Sequence, residues 1–415
     1  MKILTPILLT LLLIRCGAPS PDIPERDVLE WNSIESDLQS RLITASDSAV
    51  IDLPEGYFMF SRSLLIDGKK NLTLRGAGMD KTILSFATQE EGAEGIKAAN
   101  CINLTLENFT IEDAKGDNIK ITDSRGVVLR GVKSQWNGEP KMENGAYAFY
   151  PVLSKNVLIE NCVAIGSSDA GIYVGQSDSV IIRSNEAYYN VAGIESENSK
   201  WVDIYDNYAH HNTGGILVFD LPGLTQYGHT TRVFGNRIES NNYTNFAPEG
   251  NVVATVPPGT GLMLLATRNI EIYENLIKDN QSVGTAIISY DIVEALSTTE
   301  ESQLNENIEK AKKDENYDPY PNDVYIHDNI FDNGHLMPTT ENDFGLLFMM
   351  KFPLNTPDIV WDGITAQGAD FRLCISESES IKFANLDAAN EFENLETGLG
   401  AYKCEGQQVV LELSL

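Results

Sequence analysis

The sequence predicts an all-β solenoid, a single-stranded parallel β-helix with an N-terminal capping helix. Three observations carry this. Short segments of alternating apolar and polar residues recur and end near asparagine. A second set of short apolar segments begins mostly with glycine. The glycines then fall at a nearly constant distance: Gly171, Gly193, Gly215, Gly261 and Gly284 are separated by 22, 22, 46 and 23 residues, the 46 being two turns.

The first set comprises Asn103–Asn108, Asn156–Asn161, Ser179–Asn185, Val202–Asn207, Asn269–Asn275 and Asp323–Asn329. Each has the period of two that marks a strand. The second set starts at Gly95, Asn118, Gly145, Gly171, Gly193, Gly215, Gly261 and Gly284. A single coil of about 22 residues cannot bury its inward side chains, so coils must stack. Stacked strands lie about 4.8 Å apart, so like residues form columns. Asn108, Asn161, Asn185, Asn207, Asn275 and Asn329 are expected to form one, their amides bonded along the stack.

The remaining segments follow from this frame. Residues 1–15 begin Met1-Lys2, continue with an apolar run from Ile3 to Ile14 and end at Arg15. A basic start and a short apolar core read as a signal peptide, too short to span a bilayer as a mature helix. Leu13-Ile14-Arg15-Cys16 resembles a lipobox, with Arg15 where a small residue is usual, and makes Cys16 the expected lipidation site. Residues 16–30 read as a tether and 31–70 as an N-terminal cap, with Ile34, Leu38, Leu42 and Ile43 at helical spacing. The β-helix is expected over 71–361, with insertions near 241–260 and 291–321 and a C-terminal cap at 362–415.

Formal charge is −30; without Lys2 and Arg15, 28 basic residues stand against 60 acidic ones, or −32. That balance argues against nucleic acid and against docking on anionic lipid other than through a lipid anchor. Cys374 and Cys404 are the pair expected to form a disulfide in an oxidising compartment. Cys101 and Cys162 read as small apolar residues. The expected location is the cell envelope, periplasm or outer membrane.

The repeats resemble those of the pectate-lyase-like right-handed β-helix superfamily over roughly residues 45–360. Within it, Gly145–Val152, Asn212–Gly223, and Asn245–Pro248 together with Val256–Gly261 resemble an uncharacterised family of exported bacterial β-helix-repeat proteins. There is a more distant similarity to the mannuronan C5-epimerases, whose catalytic segment runs Tyr-Gly-Phe-Asp-Pro-His-Glu. Here the stretch reads Tyr147-Ala-Phe-Tyr150-Pro-Val152-Leu153, so the aspartate and histidine positions hold Tyr150 and Val152. The resemblance implies right-handed coils, not that reaction, because one scaffold hosts many functions.

Function must come from a site. With the residue after each glycine pointing inward, one outward column reads Lys97, Lys120, Tyr147, Tyr173, Glu195, Leu217 and Met263. A second includes Thr122, Phe149, Gly175, Glu197 and Phe219, and a flanking one Asp123, Tyr150, Gln176, Asn198 and Asp220. Such a stripe suits a groove for an acidic polysaccharide, with rings against sugars and lysines against uronates. Tyr147, Tyr173, Glu195 and Lys120 are the catalytic candidates for lyase- or epimerase-like chemistry. Lys97, Tyr150, Phe149, Gln176, Asp169 and Asp220 are the substrate-binding candidates. Glu195, Glu197 and Asp220 form a candidate Ca²⁺ set, and Glu195 with Glu197 also has the spacing of a glycosidase carboxylate pair. His210 and His211 should point to opposite sides of a strand, and His229 would serve as a base only if its loop covered the groove. The alternative is a non-catalytic scaffold that binds glycan, or a protein partner, through the same face.

Overall fold

The computed structural model describes residues 34–296, 309, 313–334, 337–354, 356–365, 372–404, 406, 408–411 and 413. The expected signal peptide, tether and Cys16, and most of the charged run 300–314, lie outside the described residues. Among the described residues no helix is long and apolar enough to cross a membrane.

Strands pair with the third strand onward in the chain, so each coil contributes one strand to each of three sheets. Sheet one has 11 strands, from Val50–Asp52 to Leu373–Ser376; sheet two has 10, from Gly56–Met59 to Ile330–Asp332. Sheet three has 12, from Arg62–Asp67 to Glu396–Thr397. All pairings are parallel except the last, between Phe383–Asn385 and Glu396–Thr397. The ladders begin at Val50, not at residue 71, and run past 361 to Asn385. The N-terminal cap proper is the helix Glu35–Thr44, which lays Leu38 and Leu42 on the first coil.

The interior is a continuous apolar stack, with Ile96, Ile119, Phe149, Ile172, Ile194, Ile216 and Leu262 in one inward column. The repeating glycine has a steric cause. A Cβ on Gly171 would lie 2.7 Å from the Asn190 amide nitrogen, and one on Gly193 2.7 Å from that of Asn212. Two consecutive residues, the glycine and the apolar residue after it, therefore face inward at this corner.

Polar ladders run down the corners. Asn185, Asn207, Asn236, Asn275 and Asn329 are linked, each amide nitrogen up to Asn275 donating to the next Oδ1 at 2.9–3.0 Å. Asn108 and Asn161 lie one position outside this column and are exposed; Cys162 precedes Asn185 in it, its backbone N–H donating to Asn185. Asn236, not anticipated, belongs to it. A second ladder, Asn190, Asn212, Asn241 and Asn280, occupies the next corner. A third is of serines, Ser124, Ser154, Ser177 and Ser199, whose hydroxyls accept from the preceding coil. Buried polar groups must be paired, and the stack pairs them with copies of themselves.

Cys374 and Cys404 are disulfide-bonded across the C-terminal cap, with Cα atoms 5.5 Å apart. Cys101 and Cys162 are free and buried.

Candidate active site

The outer face of sheet three carries the candidate site, and its register differs from the expected one at one coil. Tyr150, not Tyr147, pairs with Lys120, because Phe149 pairs with Ile119 and fills the interior. Alignment on Gly145 placed Ala146 inward; Ala148 in fact takes the place that Gly171 holds in the next coil, and Ala148 and Phe149 both face in. Phe149 is thus a core residue and cannot touch a ligand. Tyr147 and Tyr150 both remain outside.

Three tyrosines gather here. Ring centroids are 4.4 Å apart for Tyr147 and Tyr150, 4.5 Å for Tyr147 and Tyr173, and 5.0 Å for Tyr150 and Tyr173. Next to them lie Asp169, Glu195 and Glu197. The Tyr173 hydroxyl donates to Glu197 Oε1 at 2.7 Å, and Tyr147 lines the same small space as Asp169. Gly175 makes this possible: a Cβ there would sit 2.3 Å from the Tyr173 hydroxyl oxygen.

The cluster is roofed. The insertion expected as a long loop near 241–260 folds back over sheet three with a 3₁₀ turn at Val252–Thr255. Asn251 Nδ2 donates to Asp169 Oδ2 at 3.3 Å. The Asn245 amide, donating to Val253 O and Val256 O at 2.9 Å, ties the segment into one unit. A small cavity of about 80 Å³ remains between Tyr147, Asp169, Glu195, Glu197, Leu221 and residues 250–253. That holds a few waters, not a sugar ring. Glu195 is 2% exposed, and its Oε2 has no hydrogen-bond partner.

Burial governs the acidities. It raises the Asp169 carboxyl to about 7, with the Glu197 charge adding to the rise. Burial also raises Glu197 to about 7, against the lowering effect of the Tyr173 hydroxyl. Glu195 is held well above the usual carboxylate range by burial, Asp169 and Glu197. The three share protons and titrate as a set. Burial pushes Tyr147 and Tyr173 well above 10 and Tyr150 up to about 12, so all three stay neutral hydroxyl donors.

The other expected residues divide. Lys120 lies over the Tyr150 ring, 4.5 Å from its centroid, and faces Asp117 at 3.7 Å; Lys97 pairs with Glu94 at 3.1 Å. These lysines continue the tyrosine stripe toward the N-terminal coils. Gln176 is not turned to a ligand: its Oε1 accepts from Thr225 N and Oγ1, pinning the loop that contains Leu221. Asp220 is turned away too, accepting from Gly228 N at 2.7 Å with Arg268 3.8 Å from its other oxygen. Glu195, Glu197 and Asp220 therefore do not converge. Among the described residues no group of three or more His, Cys, Asp or Glu side chains has metal-holding geometry. The carboxyl that joins Glu195 and Glu197 is Asp169.

The histidines lie elsewhere. His210 and His211 do not diverge; positive φ at His211 turns their Nδ1 atoms to 2.7 Å, on sheet two and its corner. His229 opens a strand of sheet one and packs edge-on to Trp201. His327 contacts Glu271 within an aromatic stack with Tyr273 and Tyr325.

These coils are those of a right-handed parallel β-helix. Residues 70–223 match the family model described as right handed beta helix region. The A-module of the mannuronan C-5 epimerase AlgE4 of Azotobacter vinelandii superimposes with a TM-score of 0.50 at 14% identity, over 84% of this chain and 91% of that one. The AlgE6 A-module of the same organism gives 0.49 at 13%, over 83% and 88%. In sequence, the pre-neck appendage protein of Bacillus phage B103 is 25% identical over 203 residues, 40% of this chain. The chain spans only 23% of that relative's length. At these identities the similarity is one of fold.

Proposed function

We propose that the protein acts on a polysaccharide, cleaving a glycosidic bond by carboxyl acid–base catalysis at Asp169, Glu195 and Glu197. One observation carries this reading: three carboxyls, Asp169 and Glu195 buried and Glu197 half-buried, meet at one end of an aromatic and basic stripe, with no basic side chain among them. Glycoside cleavage needs one carboxyl protonated and another ionised beside the same bond. A proton-sharing set with members near 7 supplies both near neutral pH. The tyrosine base that elimination or epimerisation would use is disfavoured, because burial keeps those hydroxyls protonated. Tyr173 instead donates the hydrogen bond that fixes Glu197, and Asn251 the one that fixes Asp169. The substrate lies over Tyr150, Lys120 and Lys97, and the two lysines favour a chain bearing carboxylates. Similarity of fold to an epimerase module that bears the name of mannuronan is in keeping with a glycan partner. Export, with Cys16 lipidated, would place the enzyme at the envelope, where such polymers occur.

The test is a panel of neutral and uronate-containing polysaccharides given to the full chain. New reducing ends without unsaturated uronate support hydrolysis, and Glu195→Gln or Asp169→Asn should abolish them. Ultraviolet-absorbing unsaturated products would assign elimination instead. Binding without product would leave a glycan-binding scaffold.

A further inference from the structure

Resting on that reading, we propose that the site works on chain ends, because its groove is blind. The outward column that runs Lys97, Lys120, Tyr150, Tyr173 and Glu195 continues with Leu217, Met263, Ala286 and Val360. All four of the continuing residues are at most 4% exposed, and the cover already reaches Tyr173 and Glu195, at 4% and 2%. The neighbouring column changes in the same place, from Gly175 and Glu197 to Phe219, Leu265 and Ile288, again buried.

What covers them is a second apolar cluster, separate from the interior one. The 241–259 segment supplies Val252, Val253 and Val256, the helix Tyr290–Leu296 supplies Ile292 and Val293, and the helix Asp343–Lys351 supplies Phe344 and Phe348. The cover is anchored: Asn342 caps its own helix through Gly345 N and donates to Thr255 O at 3.1 Å. An extended polymer lying along the open stripe therefore meets the cover one coil beyond Tyr150, with a wall of packed hydrocarbon behind it from Leu217 onward. Only a terminal unit can reach the carboxyls, after Gly250 and Asn251 lift from Asp169 while Val252, Val253 and Val256 stay packed, and the rest of the chain must leave over Tyr150 and the lysines. From Glu195 back to Lys97 is four coil steps, about 19 Å at about 4.8 Å each, which seats a short oligosaccharide.

The experiment is a product-size time course with the full chain on whichever polysaccharide it cleaves, alongside solution viscosity. The expected result is mono- or disaccharide as the sole early product, with viscosity almost unchanged while product accumulates. Oligosaccharides of the same composition should improve as substrates with length and then level off once the open stretch is filled. A broad ladder of oligomers and an early collapse of viscosity would overturn the blind groove while leaving the carboxyl chemistry intact. Absence of turnover on every glycan would overturn the functional reading and this inference with it.

Discussion

Replacing Asp169 by asparagine should remove a pH dependence of stability that the acid cluster imposes. Asparagine keeps the shape and can still accept from Asn251 but cannot ionise. In the folded wild type the Asp169 carboxyl is raised by burial to about 7, against 3.8 in an unperturbed carboxyl. Between these values the folded chain holds a proton that the unfolded chain has released. Stability from this group is thus full below pH 3.8 and is lost as pH rises toward 7, with a slope of about 1.4 kcal/mol per pH unit. The shift of about three units makes the whole loss roughly 4 kcal/mol. Glu197, whose carboxyl is also raised to about 7, titrates with it, so the slope belongs to the set. The assay is urea unfolding of both proteins at pH 5, 6, 7 and 8 at fixed ionic strength. The variant should gain on wild type by a few kcal/mol between pH 5 and 7 and hold a constant lead above 8. Parallel curves across that range would refute the claim that these carboxyls are buried and protonated.

Further outcomes follow from other parts of the molecule. Asn207→Ala strands the Asn185 amide groups and Ile182 O and should cost about 2–4 kcal/mol in urea unfolding. Phe149→Ala should cost about 3–5 kcal/mol as a core cavity, whereas Tyr150→Phe should be nearly neutral for stability; equal losses would restore the register in which both face outward. Reducing the Cys374–Cys404 bond, whose partners are 30 residues apart, should lower the stability of the C-terminal cap by roughly 3–4 kcal/mol on the loop-entropy account. Gly175→Ala should displace the Tyr173 ring and cut glycan turnover at least tenfold with the fold retained, as circular dichroism would show.

The repeat was legible because stacking forces like residues into columns, so the period and most inward positions could be read directly. The Phe149 coil was misread because two consecutive residues face inward at that corner, which strict alternation does not allow for. Asp169, Glu195 and Glu197 were visible as acids on or beside one outward face. Asp220 looked equivalent, but it follows the strand at a corner where Gly228 and Arg268 claim it. The roof was not legible: Asn251 stands 82 residues from Asp169, and nothing local in an Asn-, Gly- and Pro-rich loop says where it lands. Nor could the blind end be seen, since Leu217 and Met263 on an outer face gave no sign of the helices that cover them.

The asparagine ladders divide the molecule unevenly. They start with Asn185 and Asn190 and run toward the C-terminal end, while the coils before them are joined at those corners by Phe109, Val132, Cys162 and Ser167. In a one-dimensional stack each coil is held only by its neighbours, so its resistance to opening is set by local coupling. The N-terminal coils, which the serine ladder joins at one corner only, should be the softer stretch of the rod and the later coils the stiffer. Pulled from its ends, the molecule should yield in two stages, the first front halting where the ladders begin. The carboxyl cluster sits at that seam, with Asp169 on the side before the ladders and Glu195 and Glu197 on the side that they join, so strain on the rod would be felt between the carboxyls themselves.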